Sequence, residues 1–249
     1  MDKQCIIICP PRTGSSLLGE SLSTHTQIRY GFEVFNRWNN NIPSTKWKIK
    51  ELKRIYKVDE SELFKKGVLS PLLNAMNFFP LVMKEFNLIK IICDHLPLNS
   101  PIWGEIKEKK YNIIYLKRNK LDSCISFCLA KNTQIWQQRN NKQNEDKRIQ
   151  ITSKDVTWFI EHFDKHINHI QEKLVANESI TINYSDLTKS WKKSLEKIQT
   201  FMGIKYENIS PVIFKRNIKK RRIVANYGDL YSDLINSKYA LEFEVAKLL

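Results

Sequence analysis

Cys5-Ile6-Ile7-Ile8-Cys9-Pro10-Pro11-Arg12-Thr13-Gly14-Ser15-Ser16-Leu17-Leu18 lies almost at the start of the chain. An apolar run of strand length ends at two prolines. A short polar loop follows, then an amphipathic helix expected from about Ser15 to Ser23, with Leu17, Leu18 and Leu22 on one face. The N–H groups at a helix start point outward and the helix dipole favours negative charge there, so strand, loop and helix together read as an anion site. Gly14 lets the backbone approach a ligand closely. Thr13, Ser15 and Ser16 add hydroxyls, and Arg12 adds a fixed positive charge. The Mg²⁺-assisted nucleotide-hydrolase pattern G-x-x-x-x-G-K-[ST] is not met: its first glycine is missing and Ser15 stands in place of the lysine. An ordinary β-turn-α connection with a capped helix has the same outline as this loop.

Working outward, Gln27 to Phe35 reads as a short strand or extended segment leading back over the loop. Pro43-Ser44 signals a helix start, with helical patterning from about Ser44 to Val58 and from Ser61 to Lys66. Leu69 to Phe86 is expected to be a helix broken near Pro80. Further strands are predicted at Leu88 to Cys93, Asn112 to Lys117 and Ser179 to Asn183. Helices are predicted after Pro101, over Leu121 to Lys131, from a Ser153 cap, and over Ser190 to Phe201 with Gly203 closing it. Residues 132–152 are rich in Asn, Gln and Lys and read as a mobile surface loop or insertion. Apolar strands alternating with helices predict a parallel sheet flanked by helices on both faces, in a single domain spanning 1–249. Ligands of such sheets bind beyond the strand C-termini. The Arg12–Ser16 loop, His95, Arg118 and Tyr184 all follow strand ends.

With 249 residues, the chain can bury a substantial core. It contains no apolar run of roughly 18 residues, so no membrane span is expected. Its N-terminus lacks the basic and small-residue pattern of a signal peptide. The formal charge of +15 comes from 41 Lys+Arg against 26 Asp+Glu. That excess suits an anionic partner, but Lys and Asn are abundant throughout, and no dense basic block or zinc-finger spacing marks a nucleic-acid binder. Cys5, Cys9, Cys93, Cys124 and Cys128 lie mostly in apolar stretches, as expected of free thiols in a cytoplasmic protein. No metal site is expected.

Pro11-Arg12-Thr13-Gly14-Ser15-Ser16-x-Leu18 resembles the 5′-phosphosulfate loop of sulfotransferases that use 3′-phosphoadenosine 5′-phosphosulfate (PAPS). Arg118, Asp122 and Ser126 fit that family's R-x-x-x-D-x-x-x-S motif for the 3′-phosphate, although Lys120 stands where many members carry proline. Tyr184-Ser185-Asp186-Leu187, Phe201-Met202-Gly203-Ile204 and Asn226-Tyr227-Gly228-Asp229-Leu230 resemble later family segments. The resemblance implies a P-loop-type α/β fold with no metal. It also implies a PAPS site built from Arg12, Thr13, Gly14, Ser15, Ser16, Leu17, Arg118, Ser126 and Tyr184. The basic run Lys219, Lys220, Arg221 and Arg222 could cover the 3′-phosphate or form a solvated face.

Removing a proton from the acceptor hydroxyl calls for a base. Glu33, in Gly31-Phe32-Glu33-Val34-Phe35, is placed like the catalytic glutamate of bacterial and Golgi carbohydrate sulfotransferases. His95, in Asp94-His95-Leu96-Pro97-Leu98, resembles the histidine of cytosolic small-molecule sulfotransferases. Arg12 in the loop favours the Glu33 branch, and with it a carbohydrate or glycolipid acceptor. Trp38, Trp47, Phe78, Phe79 and Trp136 could stack on sugars, with packing the default for each. The rival readings are a P-loop nucleotide kinase or hydrolase and a basic nucleic-acid-binding module.

Overall fold

β1 (Cys5–Cys9), β2 (Leu88–Ile92), β3 (Asn112–Lys117) and β4 (Ser179–Asn183) pair in parallel in the order β2-β1-β3-β4. The computed structural model describes residues 3–36, 45–57, 77–136, 148–213 and 220–247, with single positions at 59, 63 and 73. Parallel neighbours require crossovers. Between β1 and β2 lie α1 (Ser15–Leu22), α2 (Thr45–Tyr56) and α3 (Phe79–Glu85). α4 (Pro101–Glu108) joins β2 to β3, and α5 (Lys120–Thr133) and α6 (Ser153–Lys173) join β3 to β4. α7 (Tyr184–Lys189), α8 (Trp191–Met202), α9 (Lys220–Ile223), α10 (Tyr227–Leu234) and α11 (Ala240–Lys247) follow.

β1 and β2 are buried along their whole length, which explains their unbroken apolar character. Ile6, Ile8, Ile89, Ile91 and Ile113 face a core completed by Val82, Trp103, Cys124, Phe159 and Phe163. Cys5, Ile7, Cys9, Leu88, Ile92 and Ile114 face the other core, with Leu18 and Leu22 of α1 and Leu195, Ile198 and Met202 of α8. Each fully buried aliphatic side chain stabilises the fold by about 1.5–3 kcal/mol. Helices therefore cover both faces of the sheet, as its strand pattern predicts. β4 is an edge strand, and only Ile182 in it is buried.

Several local expectations change. Gln27 to Phe35 forms no full strand. Tyr30 makes one bridge to Leu88, the Gly31 N–H donates to the Leu88 carbonyl, and the Lys90 N–H donates to the Phe32 carbonyl. This short pairing is enough to fix Glu33 beside β2. Pro80 opens α3 instead of breaking it, because the first helical turn needs no N–H from that residue. The cap of α6 is Thr152, not Ser153: Thr152 and Asp155 bond each other's backbone in a capping box.

The far end of the presumed 132–152 loop is anchored. Ile149 and Ile151 are buried, Ile149 bridges Val224, and the Asn226 amide exchanges two hydrogen bonds with the Ile151 backbone. Residues 137–147 lie outside the described residues, as do Trp38 and most of 58–76. Phe78 and Phe79 are core residues, and Trp47 packs against Phe78 and Phe86. Trp136 is 43% exposed. Among the described residues no helix is long and apolar enough to cross a membrane, and no group of ligating side chains could hold a metal.

Candidate active site

The loop after β1 turns twice through left-handed backbone, at Arg12 (φ 66°) and Gly14 (φ 88°). For a non-glycine residue that conformation costs roughly 1–3 kcal/mol and persists where surrounding bonds hold it. Here the holding bond comes from Arg118, whose Nη1 donates to the Arg12 carbonyl at 2.8 Å. Gly14 is required for space as well. A Cβ at that position would lie 2.5 Å from Cδ2 of Tyr184, so the tyrosine ring packs directly on the loop. Gly14 also starts α1 with no side-chain cap of its own.

One end of the site is cationic. Arg12 Nε donates to Ser126 Oγ at 3.0 Å, and Arg12 Nη1 donates to the Trp136 carbonyl. The Arg118 guanidinium lies over the Tyr184 ring, 4.2 Å from its centroid. Arg118 Nε is buried and makes no hydrogen bond among the described residues. Arg118 is positioned from two sides. It directly follows β3, and the next residue, Asn119, caps α5 by accepting the Asp122 N–H at 2.9 Å. Glu242 of α11 reinforces that helix start, accepting from the Lys120 N–H at 2.8 Å and from the Asn119 amide at 3.0 Å. Arg12 from the loop, Arg118 and Ser126 from the second motif and Tyr184 from the later segment thus meet in one cluster.

The other end pairs opposite charges. Glu33 Oε1 lies 2.6 Å from Lys90 Nζ, and Glu33 Oε2 accepts from Asn36 Nδ2 at 2.6 Å. Lys90 Nζ also donates to Ser16 Oγ at 3.0 Å, tying the pair to the loop. Burial works against the Glu33 carboxylate. The charges of Lys90 and His95 and the two hydrogen bonds outweigh it and hold the carboxyl at about 2. Burial likewise disfavours the Lys90 ammonium, and the neighbouring Tyr30 and Glu33 overcome it, pushing Lys90 above the ordinary lysine range. His95 is half-buried, its backbone N–H donates to the Ile92 carbonyl at 2.8 Å, and it is among the neighbours that hold the Glu33 carboxyl down. Both predicted base candidates therefore stand at the same end of the loop.

The remaining loop residues divide. Thr13 is buried and its hydroxyl donates to the Pro10 carbonyl at 3.0 Å, so that hydroxyl shapes the turn. Ser15 is buried, Ser16 faces Lys90, and Leu17 is half-buried on α1. Sequence reading missed Lys90 and Asn36. The signal for Lys90 was available: a lysine in the middle of Leu88-Ile89-Lys90-Ile91-Ile92 must be paired if that strand is buried. Of the basic run, Arg222 is exposed, and the side chains of Lys219, Lys220 and Arg221 lie outside the described residues.

Comparison with known proteins agrees with this architecture. Nodulation protein H of Rhizobium tropici is 21% identical over 245 residues, covering 96% of this chain and 92% of that protein. The crystal structure of a sulfotransferase from Alicyclobacillus acidocaldarius superposes with a TM-score of 0.53 at 11% identity, covering 97% of this chain and 93% of the other, and shows the shared P-loop-type α/β fold. Mouse sulfotransferase SULT7A1, solved in complex with PAP, gives a TM-score of 0.48 at 14% identity, covering 100% of this chain and 90% of that one. The sulfotransferase-domain family model matches residues 2–236, so this chain belongs to the sulfotransferase family and is an enzyme of sulfuryl transfer.

Proposed function

We propose that the chain, read as one domain over 1–249, moves a sulfuryl group from PAPS to a hydroxyl of a carbohydrate or glycolipid, with Glu33 as the base. The carrying observation is the loop's two unlike ends: the Arg12–Arg118–Ser126–Tyr184 cluster on one side and Glu33 on the other. The buried Arg118 Nε, without a hydrogen-bond partner among the described residues, suits a phosphate acceptor, and with Ser126 it would hold the 3′-phosphate. The uncapped start of α1, with Arg12, would hold the 5′-phosphosulfate. A kinase or hydrolase reading would need a lysine after Gly14, where Ser15 stands. The free cysteines suit a cytoplasmic setting.

Sulfuryl transfer, like phosphoryl transfer, depends mainly on alignment and charge stabilisation. The acceptor oxygen attacks sulfur and its proton passes to a Glu33 carboxylate oxygen. The bond from sulfur to the 5′-phosphate oxygen breaks, and its electron pair leaves with PAP. Arg12 and the N–H groups of α1 offset the charge that develops on that phosphate.

His95 is the second base candidate, favoured by its closeness to Glu33. The test follows label from radioactive PAPS onto a panel of oligosaccharides and glycolipids, with PAP binding measured by calorimetry. Glu33→Gln should lose transfer and keep PAP binding. Loss in His95→Ala alone would move the base role to His95. A chain that neither binds PAP nor transfers label would overturn the proposal.

A further inference from the structure

Lys90 is 3% exposed, in the middle of an otherwise apolar strand, and faces the α1 side of the sheet between Leu88 and Ile92. A lone ammonium there would be costly, and the pairing with Glu33 relieves that cost. The same nitrogen touches Ser16 Oγ at 3.0 Å, one residue into α1, where the loop presents its N–H groups. Lys90 therefore stands between the anion loop and Glu33, in contact with both. That arrangement poses a chemical difficulty. A carboxylate held this tightly by a lysine is a poor base for an alcohol, because basicity toward the acceptor proton falls with the strength of its ion pair.

We propose that Lys90 is a shared cation: it pairs with Glu33 in the free chain and turns to the sulfuryl oxygens when PAPS fills the loop, freeing the carboxylate to take the acceptor's proton. This rests on the reading of Glu33 as base. It adds a catalytic residue and an order of events, in which the donor arms the base before the acceptor reacts. Lys90 needs only a small movement, since Ser16 already marks its second position. The sulfuryl group is the part of PAPS that must lie between the loop and Glu33 if Glu33 is to serve the attacking oxygen. The other titratable groups around the pair are Tyr30 and Cys9 against Lys90, Glu20 of α1 across Tyr30, and His95 against Glu33. Asn36 keeps hold of the second carboxylate oxygen, so Glu33 stays oriented when Lys90 leaves it.

PAPS and PAP differ only in the sulfuryl group, and their affinities without acceptor test the exchange directly. Calorimetric titrations are made on the unaltered chain, Glu33→Gln, Lys90→Met and the double variant. Glu33→Gln removes the competitor for Lys90, so PAPS should bind about tenfold tighter while PAP changes by less than about threefold. Lys90→Met should weaken PAPS about tenfold or more and spare PAP. In the double variant the tightening by Glu33→Gln should vanish, the non-additivity expected of groups that share one partner. Unchanged PAPS affinity in Glu33→Gln, or equal changes for PAPS and PAP, would overturn the exchange. If Lys90→Met does not fold, the PAPS-to-PAP ratio in Glu33→Gln still decides. Failure of the unaltered chain to bind PAP would instead sink the proposed function itself.

Discussion

The two ends of the loop are built from the same materials and do opposite things with charge. At the Arg118 end, two guanidiniums converge on a serine and a tyrosine ring, and Arg118 Nε keeps an unused donor among the described residues. At the Glu33 end, the cation is already spent on a carboxylate. The first end is a standing electrostatic site, ready for an anion. The second is neutral as a pair and can change state. In the proposed reading, one end fixes the nucleotide and the other handles a proton.

The contrast can be broken from either side. The largest effect should come from Glu33→Gln, which should lower transfer by roughly 10²–10⁴-fold. PAP binding should survive, because the grip lies elsewhere. Lys90→Met should follow, costing about 3–5 kcal/mol in urea denaturation because it strands a carboxylate among buried groups. Adding Glu33→Gln to it should recover much of that loss. Arg118→Leu should weaken PAP by about 10–100-fold, the worth of charge-assisted hydrogen bonds, and AMP by less, through the loop bond that the Arg12 carbonyl loses.

The Glu33–Lys90 pair also makes stability depend on pH. Glu33 sits at about 2 in the folded chain against an ordinary 4.5. Its folded-state value is depressed, so its contribution is complete above the unfolded value and is lost as pH falls from 4.5 toward about 2. Lys90, raised by the same pair, stays charged across that window. Thermal melts over this range should therefore fall less steeply in the double variant than in the unaltered chain.

Much of this was legible before any coordinates. The four strands were readable almost to the residue, β1, β2 and β3 because strands buried on both faces must be apolar throughout, and Gly203 closes α8 in the left-handed conformation its sequence position suggested. The loop and Arg118 were legible because backbone geometry and charge there leave few substitutes. What stayed hidden depends on contacts distant in sequence. Nothing local shows that Ile149 bridges Val224, or that Glu242 braces the helix after Arg118. Lys90 was passed over because an apolar strand tolerates one long amphipathic side chain in a periodicity reading. Only the proximity of Glu33 and Ser16 gives that lysine meaning.

The central claim is the two-ended nucleotide grip, and a thermal-shift comparison of 3′,5′-PAP with AMP tests it most directly. At a hundred times its Kd, PAP should stabilise the chain by about 2.7 kcal/mol. For a chain of this length that is a rise of roughly 5–10 °C, with AMP well below it at the same concentration. No shift with PAP, or an equal shift with AMP, would contradict a 3′-phosphate site at Arg118 and Ser126.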